Sequence, residues 1–297
     1  MIEKVGIYLN ITQDEIVHIT EHIVNLLNAQ HVAIYSNDRD AAQILGVDYL
    51  DNGAFVNTIE ILLVVGGDGT FLRAADIVRD KGIPLLGINR GHLGFLSQLE
   101  ASEFEEHFDQ ILAGEFGVEE RMTIIGTIMR DDRIINQLVG LNDVSINRNP
   151  TENTITYEIF LNDQFIDRYQ GDGMIFATPT GSTGYSLSAG GPLIYPGTDC
   201  FIINPICAHI IGTRAVIVPA KDELRFRLTH CVDKAFLIAD GRDAVILHEG
   251  DEVCLCKGKQ PVHMVQFGDH LFFEAVRNKL LNRNYRRMYH GSGINEE

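Results

Sequence analysis

Basic residues are scarce in this chain: 24 Lys plus Arg stand against 41 Asp plus Glu, a formal net charge of −17 over 297 residues. Sequence-independent nucleic-acid binding needs cationic groups to displace counterions from phosphates, so no nucleic-acid partner is expected. Long apolar runs are missing as well. None approaches the roughly 20 residues that cross a bilayer as a helix, so no membrane partner is expected either. The opening Met1–Gly6 lacks the apolar core of a signal peptide and passes straight into a strand-like segment, which points to a cytoplasmic protein. Cysteine is sparse and odd in number, with Cys200, Cys207, Cys231, Cys254 and Cys256 confined to the C-terminal part. Reduced core thiols are expected there rather than a disulfide framework. No low-complexity tract or usable internal repeat is found. What is present is 45% hydrophobic and 22% charged residues, the balance of a packed globular protein. The length suits one large domain or two of ordinary size.

The first third alternates strand and helix patterns. Val5–Leu9 is a short apolar run of strand length. Thr12, with Glu15 three residues on, offers a capping box for a helix whose apolar stripe is Ile16, Ile19, Ile23 and Leu26. His31–Tyr35 reads as a second strand. Ile61–Val65 is continuously apolar, as in a strand buried on both faces of a parallel sheet. Phe71, Ala74, Ala75 and Val78 mark the following helix, Pro84–Ile88 another buried strand, and Ser102 with Glu105 the cap of a helix that stops near Gly114. This β-then-α order predicts a doubly wound α/β domain over residues 1–121.

From about residue 120 the pattern changes to short strands with close turns. Met122–Met129 and Ile134–Val144 flank Arg130–Arg133, and Thr154–Leu161 and Gln164–Tyr169 flank the two-residue turn Asn162-Asp163. Further strands are predicted at Arg214–Val218, Leu224–Leu228, Ala235–Ala239, Glu252–Cys256 and Val262–Phe267. A mainly antiparallel β domain over 122–268 is expected. Phe272, Ala275, Val276 and Leu280 share a face, so 269–297 is read as a helical segment that packs back on the first domain.

Two loops carry the chemistry. Gly66-Gly67-Asp68-Gly69-Thr70 lies between a buried strand and a helix, where glycines let backbone approach a phosphate and the helix start offers free amides. It is neither a P-loop nor the dinucleotide GxGxxG pattern. A carboxylate among phosphate-binding amides is awkward unless it takes a proton or touches a phosphate-bound metal. The plainer alternative is that Asp68 and Thr70 only cap the helix. The second loop, Gly171–Pro192, is rich in glycine and hydroxyls. Thr180, Ser182, Thr183, Ser186 and Ser188 supply neutral donors and acceptors, and Tyr185 offers a ring for a base or ribose. A ligand-free packed turn is the alternative there.

Together these residues resemble the NAD kinase family, the enzymes that phosphorylate NAD to NADP. Gly66–Thr70 is similar to the family's GGDGT motif, and Gly171–Pro192 to its long glycine-rich motif. Asn142-Asp143 falls where the family carries Asn followed by Glu or Asp. Gly87–Leu96 and the Pro205, His209, Arg214, Pro219 spacing are similar too, and the likeness runs from about Val5 to about Leu281. It implies an α/β N-terminal domain, a largely β C-terminal domain, and homodimers or homotetramers. It also implies ATP as donor and transfer to the 2′-hydroxyl of the adenosine ribose. Asp68 is then the general base, with Gly69 beside it, and Asn142 and Asp143 hold the adenine-ribose end. Asp172 contacts the far end of the dinucleotide, whether in its own subunit or from a neighbouring one. Thr183, Gly184, Tyr185, Ser186, Leu187 and Ser188 wrap the substrate, with Tyr185 beside the adenine.

Some positions depart from commoner family versions. Asp143 replaces Glu, Ala177 stands where Ser is usual, Gly184 where Ala is usual, Gln170 at an often basic site, and Arg242 where Gln is common. Arg73, one turn beyond Asp68, is a candidate phosphate contact, with a solvated helix residue as the equal alternative. Phosphoryl transfer on an acidic protein needs its anions neutralised, and the loops hold few basic groups. Backbone amides and a divalent cation, Mg²⁺ carried with ATP, are expected to do this, with no side-chain metal site assigned. Cys254 and Cys256 share a strand face without a further Cys or His to complete a tetrahedral set, so two core thiols are expected. His209 is read as a hydrogen-bonded structural residue. Arg283, Arg286 and Arg287 read as a solvated terminus or a subunit contact. A lipid or sugar kinase sharing the first loop and a non-catalytic NAD(P) sensor remain the alternatives. The first predicts an apolar groove or sugar pocket, and the second predicts loss of Asp68 or of Asn142-Asp143.

Overall fold

The computed structural model describes residues 1–91, 94–151, 153–210, 212–268 and 271–281. His92, Leu93 and the basic tail Arg283, Arg286 and Arg287 lie outside them. The chain forms two compact units, one of Met1–Glu119 with His263–Glu297, the other of Glu120–Val262.

The first unit is built on strands β1 (Lys4–Leu9), β2 (Ala33–Ser36), β3 (Asp48–Tyr49), β4 (Ile61–Val65), β5 (Leu85–Asn89), β6 (Leu99–Glu100) and β7 (Gly117–Arg121). Helices α1 (Asp14–Ala29), α2 (Arg39–Leu45), α3 (Asn52–Thr58), α4 (Asp68–Val78) and α5 (Phe104–Ala113) connect them. The strand order is β3-β2-β1-β4-β5, then Val262–Gln266, then β7, with β6 pairing β5. Pairing is parallel from β3 through β5 to Val262–Gln266. The chain leaves β1 in one direction and returns as β4 on its other side, so the carboxyl ends of β1 and β4 form a topological switch point, where ligands of α/β sheets bind. The five residues of β4 are all buried, as their unbroken apolar run requires.

Several local expectations are corrected here. Thr12 does not cap α1: its amide and hydroxyl both donate to Asn10 Oδ1, at 3.2 and 2.8 Å, and the helix starts after Gln13 without a side-chain cap. The buried stripe of α1 is Ile16, Thr20, Ile23, Val24 and Leu27, so Ile19 and Leu26 flank it. The capping pair before α5 is Glu100 and Glu103, not Ser102 and Glu105, because a 3₁₀ turn over Ala101–Glu103 brings the entry forward. Val262–Gln266 pairs β5, so the division between units falls at 262/263 rather than after 268. The helix Leu271–Val276 and the turn Arg277–Leu281 follow in the first unit.

The second unit holds β8 (Ile124–Arg130), β9 (Arg133–Gly140), β10 (Asp143–Arg148), β11 (Ile155–Leu161), β12 (Gln164–Gly171), β13 (Gly173–Ala177), α6 (Tyr185–Ser188), β14 (Cys200–Ile206), β15 (Val216–Pro219), β16 (Leu224–His230), β17 (Ala235–Ala239), β18 (Arg242–Leu247) and β19 (Glu252–Lys257). They form two antiparallel six-stranded sheets, β15-β14-β13-β10-β17-β18 and β12-β11-β16-β19-β8-β9. Val144, Phe176, Phe201 and Leu237 of one sheet and Ile128, Tyr157, Phe226 and Val253 of the other share one apolar core. Asn162 and Asp163 both take positive φ, 48° and 65°, as a two-residue hairpin turn requires.

In this unit the sequence pattern missed three strands, β13, β14 and β18, and ran β9 and β10 together across Ile134–Val144. β13 is fully buried, so the front of the glycine- and hydroxyl-rich stretch is a core strand and only its later part is a loop. The cysteine expectation also needs correction. Cys200 and Cys231 are buried, but Cys207 and Cys256 are exposed and Cys254 is half-buried, because Val253 and Leu255 take the inward positions of β19.

Candidate functional site

Two clusters of polar groups stand out, one in each unit. In the first, β4 runs into Gly66, whose φ of 153° suits glycine and whose Cβ would meet Thr70 Oγ1 at 2.8 Å. Gly67 then caps α4 through its backbone, accepting from the amides of Thr70 and Phe71 at 2.9 and 3.1 Å. The first amides of a helix have no partner within it, which leaves this end attractive to an anion. Asp68 does not cap the helix. Its Oδ1 accepts the Leu96 amide at 3.1 Å, its Oδ2 accepts the Phe95 amide at 3.4 Å, and Lys279 Nζ donates to Oδ2 at 3.0 Å.

The segment that supplies those amides is itself tied down. The Gln98 amide donates to the Gly87 carbonyl at 2.9 Å, and a Cβ at Gly87 would meet the Leu96 carbonyl oxygen at 2.8 Å. A Cβ at Gly94 would collide with the Asp68 carboxylate. Gly69 is exposed, with open space where a Cβ would lie. Arg73 is exposed on α4, about 140° around the helix from Asp68 at 100° per residue, so the helix does not bring the two together.

The second cluster grows from β10. Alternation sends Val144 and Ile146 into the core and leaves Asp143, Ser145 and Asn147 on the opposite face. Those three, with Asn142, Tyr185, Ile238, Asp240 and Gly241, line a pocket of about 420 Å³. Asp240 opens the turn between β17 and β18 with a φ of 48°, Gly241 follows at 71°, and the pair is the Asp-Gly signature of a two-residue hairpin. Its carboxylate accepts three successive amides, Leu141 at 2.9 Å, Asn142 at 2.8 Å and Asp143 at 3.1 Å. That grip breaks the run from Ile134 to Val144 into two strands.

Thr178 completes the clamp: its hydroxyl donates to the Leu141 carbonyl at 2.6 Å and its amide to the Asn142 carbonyl at 2.9 Å. Gly181 lies so close to the Asn142 carbonyl that no side chain fits between them. Asp143 is opposite Ala177 in the ladder, and both are buried. Burial, with the Asp240 charge adding to it, pushes the Asp143 carboxyl up to about 7. Burial also raises Asp240, against the pull of its three amides.

Of the remaining expected site residues, Tyr185 is 42% exposed, and its hydroxyl lies 3.4 Å from Asn147 Oδ1. Gly184 borders the Asn142 side-chain amide, and Ser186 is buried against the Asn204 side chain. Thr183 and Leu187 are half-buried, and Ser188 is exposed. Arg242 Nη2 stands 3.8 Å from Asp240 Oδ2. Asp172 is engaged by Arg148, whose Nε donates to Oδ1 at 2.6 Å. His209 is exposed and donates its amide to the Gln170 carbonyl at 2.8 Å. Sequence reasoning missed Ser145, Asn147, Asp240 and Lys279. The Asp240-Gly241 dipeptide between two alternating runs was a readable signal for Asp240, whereas nothing local pointed to Lys279.

Residues 141–267 match the ATP-NAD kinase C-terminal domain, and residues 52–116 the ATP-NAD kinase N-terminal domain. The NAD kinase of Moorella thermoacetica is 34% identical over 278 residues, 94% of this chain and 89% of that protein. The NAD kinase of Symbiobacterium thermophilum is 36% identical over 275 residues, 92% of this chain and 97% of that one. The chain belongs to the ATP-NAD kinase family. The yeast NADH kinase complexed with NADH has the same fold, with a TM-score of 0.87 and 24% identity over 95% of this chain and 88% of its own. An NAD kinase from Archaeoglobus fulgidus in complex with ATP gives 0.69 and 24% over 93% and 98%. Membership of the ATP-NAD kinase family bears out the likeness carried by Gly66–Thr70, Asn142-Asp143 and Gly171–Pro192.

Proposed function

We propose that this chain transfers the γ-phosphoryl group of ATP to the 2′-hydroxyl of the adenosine ribose of NAD, giving NADP, with Asp68 as proton acceptor. The family supports the reaction. The observation that supports the residue is that the Asp68 carboxylate is withheld from helix capping and fixed at the start of α4 by the Leu96 amide. In the transfer the 2′-oxygen bonds to the γ-phosphorus, the bond from that phosphorus to the β-phosphate oxygen breaks, and ADP departs. The hydroxyl proton goes to Asp68. Carboxylates are weak bases toward an alcohol, so this proton moves late, as the bond to phosphorus forms.

Positioning is the rest of the catalysis. Asn142, Asp143 and Tyr185 are assigned to the adenine-ribose end, supported by the pocket they share with Ser145 and Asn147. Gly69, Ala177, Thr183, Gly184, Ser186, Leu187 and Ser188 are assigned as surrounding contacts, Asp172 to the far end of the dinucleotide, and Arg73 and Arg242 as auxiliary cations. Mg²⁺ enters with ATP as part of that substrate. Among the described residues no group of three or more His, Cys, Asp or Glu side chains could hold an ion.

A cytoplasmic setting is assigned from the sequence; no helix among the described residues is long and apolar enough to cross a membrane. Self-association as a dimer or tetramer is also assigned. Its support is the exposed apolar side chains on β9 and β12, the edge strands of one sheet, where Ile134 is 68% and Phe165 52% exposed.

Purified protein incubated with MgATP and NAD, NADH or diacylglycerol tests the reading. NADP should form from NAD, and Asp68→Asn should keep NAD affinity while losing about three orders of magnitude in kcat. Turnover with diacylglycerol alone, or NAD binding without turnover, overturns it.

A further inference from the structure

The partner that Asp68 already has is not accounted for by the reaction as written. Lys279 lies 211 positions further along the chain, in the turn Arg277–Leu281, within the same compact unit. Its Nζ stands 3.0 Å from Asp68 Oδ2 and 4.5 Å from the centroid of the Phe95 ring. The two side chains are 30% and 32% exposed, so the pair is open to a solute.

A carboxylate held by an ammonium group accepts a proton poorly from an alcohol. Once it has accepted one, it is neutral and no longer holds the ammonium group. Negative charge meanwhile gathers on the transferring phosphoryl group, where a cation is worth most. Lysine suits both roles, since its three donors turn freely at the end of a four-carbon stem. A swing about the Phe95 face moves Nζ off a carboxylate oxygen without giving up the ring.

We propose that Lys279 is a phosphate-binding residue of the transfer site. It latches onto Asp68 while the site is empty and passes to the γ-phosphate when MgATP enters. This rests on the reading of Asp68 as the base. Nucleotide binding then frees the carboxylate for the 2′-hydroxyl, so an acceptor hydroxyl meets a competent base only after the donor has arrived. The ammonium group keeps its protons throughout, and the bonds made and broken are those of the kinase reaction alone.

The test uses the full chain with Lys279→Met and Lys279→Arg, each in the parent and in the Asp68→Asn background. Kinetics are read for both substrates, and MgATP affinity by calorimetry without NAD. Lys279→Met should raise the KM for MgATP about tenfold and lower kcat about 100-fold, with the KM for NAD within twofold. Lys279→Arg should restore most of the MgATP affinity. In the Asp68→Asn background Lys279→Met should still weaken MgATP binding about tenfold, which a residue serving only the carboxylate would not do. Unchanged MgATP affinity in that background overturns the proposal, as do kinetic constants within twofold of the parent. If Lys279→Met does not fold, Lys279→Gln replaces it in both backgrounds with the same expected losses, and MgATP affinity within twofold of the parent again overturns the proposal. Failure of the parent to phosphorylate NAD would count against the proposed function instead, since the calorimetric arm needs no acceptor.

Discussion

Asp143 and Asp240 place two carboxyl groups in one buried corner of the second unit, and the burden is unevenly shared. Asp240 has three amides to offset its burial, whereas Asp143 is raised to about 7 by burial and by that neighbour. An ordinary carboxyl titrates near 4. The folded chain therefore keeps a proton that the unfolded chain releases, and stability falls as pH rises from about 4 to about 7. Asp143→Asn has no such proton. Urea unfolding at pH 5 and pH 7 should show the variant gaining on the parent by about 1.4 kcal/mol per pH unit; parallel pH dependence in the two would refute the assignment. The same titration changes what Asp143 offers to the pocket it lines, because the neutral carboxyl donates a hydrogen bond and the ionised one only accepts.

At the scale of elements, the site depends on segments whose places are set from a distance. β4 was legible because an unbroken Ile61–Val65 run has no other economical home than a sheet covered on both faces. The Asn162-Asp163 hairpin was legible because its turn chemistry is local. The break between β9 and β10 was not, since the carboxylate that causes it comes from Asp240, about a hundred positions away. The start of α1 was misread for the opposite reason: a nearer partner, Asn10, captures Thr12. The motif residues Asp68 and Asn142-Asp143 could be picked out from sequence, but the groups that hold them could not. Gly94 illustrates this, because its lack of a side chain makes room for the Asp68 carboxylate. Gly94→Ala should leave the melting temperature within a few degrees and cut kcat about 100-fold, the usual cost of displacing a reacting group by about 1 Å. Wild-type turnover in that variant would show that the carboxylate has slack.

For the molecule as a whole, the two-sheet unit ends in edge strands that carry Ile134, Ile135, Phe165 and Ile166 outward. Native proteins seldom leave such edges bare. Light scattering after size exclusion should give an oligomer for the parent, and Ile134→Asp with Phe165→Asp should shift it toward the monomer; a monomeric parent ends that assignment. The strand order of the first sheet has a further consequence. Val262–Gln266 lies between β5 and β7. A ribosome making this protein therefore delivers β5 early, with only the two residues of β6 to pair the end of its free edge, and Val262–Gln266 only after the entire second unit has been synthesised. Through that interval the nascent chain carries a raw hydrogen-bonding margin, so translation speed and chaperone supply should govern its yield more than the final stability does.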